Sequence, residues 1–75
     1  MSSSQRKKKF VELAEKRVQR TIKDIRLIGN LSNKTNYSYE DKDVRKIYKT
    51  LSEELKTMKA RFDAGGETEP STFKL

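Results

Sequence analysis

Lys9, Lys16, Arg20 and Lys23 fall within about 60° of one another when the chain around them is wound as an α-helix, and Arg6, Arg17 and Arg26 stand on the shoulders of that arc. A row of cations on a rigid rod can track a phosphate backbone. It can equally serve as a solvated outer face, or meet an acidic protein surface. Charge distribution separates these readings. The first 30 residues hold nine Lys and Arg against Glu12, Glu15 and Asp24, whereas the remainder contributes only +1 of the net +7. A face that serves solubility alone mixes its signs. Lys9, Lys16, Arg17, Arg20, Lys23 and Arg26 are therefore the expected contacts to nucleic acid, a nucleoprotein complex or an acidic protein surface. Leu13 and Leu27 lie nearly opposite the apolar stripe of the same segment. They read either as tolerated surface leucines or, with Asn30, Asn33 and Tyr37, as a secondary contact.

Other chemistry is scarce. The chain has no Cys and no His, which removes thiol and imidazole catalysis, disulfides and zinc or iron–sulfur ligation. Glu40, Asp41 and Asp43 sit where a helix start favours acids and lack the glycine and distal glutamate of an EF-hand loop. Glu53 and Glu54 suit pairing along a helix with Lys49 or Lys56. Tyr37, Tyr39 and Tyr48 could stack bases beside Lys34 and Lys42, although Tyr48 falls on a core stripe and Tyr37 and Tyr39 equally suit packing at a helix entry. No glycine-rich phosphate loop or nucleophile elbow is present. The expectation is a non-enzymatic protein without cofactor, metal or small-molecule substrate.

The elements that must position these residues follow from spacing. Val11, Ala14, Val18, Ile22, Ile25 and Ile28 recur at steps of three and four, widened by Phe10 and Thr21, and predict a helix over about 5–28. Residues 1–4 read as a flexible N-terminus, Ser3 or Ser4 as N-cap, and Gly29 as the residue just past the helix end. Residues 29–38 are the connection, with Leu31 and Tyr37 expected to fold back onto the helix ends. Ser38 with Asp41 resembles a capping box, and Val44, Ile47, Tyr48, Leu51, Leu55, Met58 and Phe62 predict a second helix over about 39–62. Residues 63–75, with Gly65, Gly66 and Pro70, read as a disordered tail. Arg6 to Lys9 oppose the dipole at a helix N-terminus, so that stretch is expected either to fray into a basic arm or to act as a solubilising end.

The fold class expected is all-α: an antiparallel two-helix hairpin, residues 5–62. At 75 residues such a pair leaves a flank of each stripe wet, and a homodimer closing into a four-helix bundle would cover it. This scheme requires Val18 and Ile25 to leave water and Arg20 to stay outside. The connection is too long for a helix-turn-helix unit, and Ser2 to Lys9 lack the alternation of a ribbon-helix-helix strand. No apolar run could span a bilayer. The basic Arg6–Lys9 stretch leads into an amphipathic segment rather than the apolar core of a secretory signal. The expected location is cytoplasmic.

Residues 6–62, through Lys9-Phe10-Val11-Glu12-Leu13-Ala14-Glu15-Lys16-Arg17, Asp24-Ile25-Arg26-Leu27-Ile28-Gly29-Asn30-Leu31-Ser32-Asn33, Tyr39, Asp43-Val44 and Lys46-Ile47, resemble a set of short helical proteins carried by phages, prophages and plasmids. That set has no assigned activity, so the resemblance transfers no functional residue. It implies a mobile-element context, in which small proteins act as transcriptional regulators, inhibitors of host enzymes or antagonists of host defence nucleoprotein complexes. The leading expectation is engagement of nucleic acid or a nucleoprotein complex through the basic helix face. The alternative is a protein-directed inhibitor or adaptor binding an acidic surface.

Overall fold

The computed structural model describes residues 2–65, and all regular structure among them is helical. The chain divides into two units, residues 1–38 and 39–75. In the first, α1 runs Ser3–Gly29 and is followed by a single 3-10 turn, Asn30–Ser32. In the second, α2 runs Asp41–Asp63. The expected tail lies, from residue 66 on, outside the described residues.

The N-terminus of α1 is built differently from expectation. Ser2, not Ser3 or Ser4, is the N-cap: its Oγ accepts the Gln5 backbone N–H at 3.2 Å, while its own N–H donates to Gln5 Oε1 at 3.2 Å. This reciprocal pair satisfies two of the amide groups that every helix start leaves orphaned. Ser3 and Ser4 are consequently helical, and Arg6 to Lys9 lie inside α1. At the other end Gly29 does not reverse the chain. Its φ of −60° continues the right-handed path into the 3-10 turn, and the Asn30 N–H still donates to the Arg26 carbonyl. Arg26 sits in this last turn, where a cation complements the carbonyl end of the dipole.

Asn33 then closes the first unit. Its Oδ1 accepts the Thr35 N–H at 2.9 Å, and its carbonyl accepts the Asn36 and Tyr37 N–H groups at 3.1 and 3.0 Å. The side chain mimics a backbone turn, which is why asparagine recurs in connections. Leu31 and Tyr37 do not fold back to shelter; both are exposed.

The start of α2 also shifts. Glu40, rather than Ser38, is the N-cap residue. Its backbone N–H donates to Asp43 Oδ2 at 2.8 Å, so Asp43 rather than Asp41 closes the box. Two acids in the first turn, Asp41 and Asp43, meet the positive end of the dipole. The helix stops at Gly65, whose φ of +69° is the only positive value among the described residues. There the Ala64 and Gly65 amides donate back to the Ala60 and Phe62 carbonyls at 3.0 Å each, a stop that glycine reaches without steric cost.

Both apolar stripes run along their helices as the spacing requires, yet no described residue is buried. Arg20 is outside as expected. Val18 and Ile25 remain 55% and 48% exposed, so the requirement that they leave water is not met within the single chain. Tyr48, expected to pack, is 75% exposed.

Candidate functional site

One element carries all six expected contacts. Lys9, Lys16, Arg17, Arg20, Lys23 and Arg26 are all exposed residues of α1. Twenty-seven residues at about 1.5 Å each make a rod about 40 Å long, and Lys9 and Lys23 stand about 21 Å apart along it. Lys9, Lys16, Arg20 and Lys23 form the middle of the cationic arc. Arg17 and Arg26 extend it to either side, so the six together cover about half of the helix circumference. The apolar stripe occupies about a third of the circumference on the opposite side.

Glu12 and Asp24 stand one turn from Lys16 and Arg20, yet none of the six cations has an acid within ion-pair distance among the described residues. The ion pairs seen among the described residues include Lys42–Glu40 at 3.6 Å and Lys59–Asp63 at 3.1 Å, both in the second unit. Glu12, Glu15 and Asp24 approach none of the α1 cations within ion-pair distance. At the head of the helix the bases have local company: the Arg6 guanidinium donates to Ser3 Oγ at 3.3 Å, and Lys7 Nζ lies 5.7 Å from the centre of the Phe10 ring. From Lys9 onward the six cations project without such partners. The side chains of Lys and Arg in this arc can each present two or more N–H donors to an incoming anion.

Leu13 and Leu27 lie inside this arc rather than beside the apolar stripe, and Leu27 is 53% exposed. Of the remaining secondary contacts, Asn30 belongs to the 3-10 turn directly after the arc. Asn33 has one side-chain oxygen engaged by Thr35, and Tyr37 offers an exposed ring. The structure thus strings Arg26, Asn30, Asn33 and Tyr37 along one end of the first unit. Tyr39 and Tyr48 belong to the second unit.

Glu40, Asp41 and Asp43 do not gather into a cation site: Asp43 holds the helix start and Glu40 pairs with Lys42. Among the described residues no cluster of acids has the grouping to hold a metal ion, and no helix is long and apolar enough to cross a membrane. No protein-family model, curated protein or solved structure matches this chain.

Proposed function

We propose that this chain is a non-enzymatic binding protein that engages nucleic acid, bare or within a nucleoprotein complex, through the cationic arc of α1. The observation that carries it is six exposed Lys and Arg residues on one helix with no acid in ion-pair range among the described residues. Polyanions recruit such a face by releasing their condensed counterions, which makes the binding salt-dependent. About four neutralised phosphates on a duplex give a slope of about −3.6 in log K against log salt. Reversing Lys16, Arg20 and Lys23 to Glu should abolish binding and flatten the slope. Binding that survives this change with its salt dependence intact would remove the reading.

The same reading has α1 and α2 pairing antiparallel as a hairpin, with two copies closing into a four-helix bundle that covers both apolar stripes and leaves the arcs outside. A cytoplasmic location and a mobile-element context fit a partner of this kind.

A second reading rests on Leu13 and Leu27. Two leucines among cations suit an acidic protein surface with apolar sockets, as a host-directed inhibitor would use. Replacing both by Ala distinguishes the readings: retained nucleic-acid affinity with loss of a nuclease-resistant protein complex favours the inhibitor.

A further inference from the structure

We infer that the polyanion is B-form duplex DNA and that α1 enters its major groove; this rests on the nucleic-acid reading above and narrows it. Three features of the arc carry the inference. The first is its width. A strand lying on one side of a helix needs a narrow row of cations, whereas Arg17 and Arg26 project to opposite flanks of α1 with Lys9, Lys16 and Arg20 between them. Six cations against Glu12 and Asp24, the two acids that fall within the same half-cylinder, leave it net positive, and such a face complements a concave trough with anionic walls. An α-helix with its side chains is about 10–12 Å across, and the major groove of B-form DNA is about 12 Å wide. The major groove of A-form RNA is too deep and narrow to admit side chains, and its minor groove is shallow.

The second feature is composition. Single strands are held by stacking bases on aromatic rings, and none of the aromatic residues falls in the arc: Phe10 is the single aromatic residue of α1 and lies at the edge of the apolar stripe beneath Lys7. The third is length. The 21 Å or so between Lys9 and Lys23 corresponds to roughly six base pairs, about the stretch over which a rod stays within one groove before the duplex turns away. In that position Arg17 and Arg26 reach phosphates on opposite walls, and Lys16, Arg20 and Lys23 stand above the floor between them, with side chains long enough to swing up to the phosphates of either wall. Leu13 and Leu27 lie toward the same side, where the thymine methyl is the apolar feature a floor offers.

The test compares the full chain on a 20-base-pair DNA duplex, an RNA duplex of the same sequence and the single DNA strand, at one moderate salt concentration. The DNA duplex should bind at least tenfold more tightly than either. Methylation of guanine N7, which obstructs only the major groove, should weaken binding severalfold, and a small minor-groove ligand should leave it unchanged. Arg17→Glu and Arg26→Glu should each lower affinity about tenfold, with helix content by circular dichroism as the control. RNA duplex or single strand bound as tightly as the DNA duplex, or competition by the minor-groove ligand, would overturn the groove while leaving phosphate binding intact. Binding to none of the three would remove both readings.

Discussion

Ser2 shows how much one residue decides at the head of this molecule. Three serines precede the basic stretch, but only Ser2 has a Gln or Glu three positions on, and the reciprocal Ser2–Gln5 bonds at 3.2 Å follow from that spacing. The four cations Arg6 to Lys9 oppose the dipole in the first turns of α1, and no acid in the first turn offsets them. The cap therefore offsets part of that opposition at the helix start. Ser2→Ala should cost about 0.5–2 kcal/mol of helix stability, and Ser2→Gly only a few tenths. Circular dichroism melts of the two variants measure the difference; equal melts for Ala and Gly would assign the stability of this end to something other than the hydroxyl. The signal was present in the sequence, and the competition among three adjacent serines obscured it. At Glu40 the signal was weaker. Glutamate is not a favoured N-cap side chain, and the bond that matters comes from Asp43 reaching back, whereas Ser38 is the residue type that caps prefer.

At the scale of the element, periodicity was the legible feature. Six apolar positions in α1 and seven in α2 keep helical spacing without interruption, and the helices cover those positions. Thr21 sits in the α1 stripe as a polar residue, but its hydroxyl donates to the Arg17 carbonyl at 2.8 Å, so the stripe contains no donor without a partner there. The cationic arc was legible for the same reason, because winding the sequence fixes which charges share a side. Hidden from the sequence were the Glu40 cap and the path of Gly29, whose right-handed φ is one of two conformations glycine adopts freely. The arc makes its own prediction. Lys16→Gln, Arg20→Gln and Lys23→Gln together keep residues of good helix propensity and avoid the like-charge i,i+4 contacts that three new glutamates would place beside Glu12 and Asp24. Helix content should stay within a few per cent, while the salt slope on duplex DNA falls by about 2.7, or 0.9 for each phosphate contact removed. A slope unchanged in this variant would place the phosphate contacts elsewhere on the chain.

For the whole molecule the decisive observation is that, among the described residues, the side chains of each apolar stripe stay well exposed. Val18, Ile25, Leu55 and Met58 are each about half exposed or more, and exposed apolar surface along a helix face marks an interaction surface. Most of the stability of a helix in a protein comes from packing its amphipathic face rather than from propensity. Sequence could show the stripes but not their cover, since a cover contributed by a second chain leaves no trace in the spacing of the first. Closure with a second copy has measurable consequences. The solution mass should be twice the 8.8 kDa of the chain, and Tm should rise with protein concentration, as association stabilises only the folded state. Val18→Asp with Ile25→Asp would bring two carboxylates into the closed seam, where unpaired charge is strongly disfavoured; this variant should run as a monomer and lose most of its helical signal. The Lys16, Arg20 and Lys23 glutamine variant, altered only on the outer arc, should keep the doubled mass. A single-chain mass with a concentration-independent Tm would mean that no second copy covers the stripes, and the four-helix bundle would have to be given up while the charge on α1 stood as before.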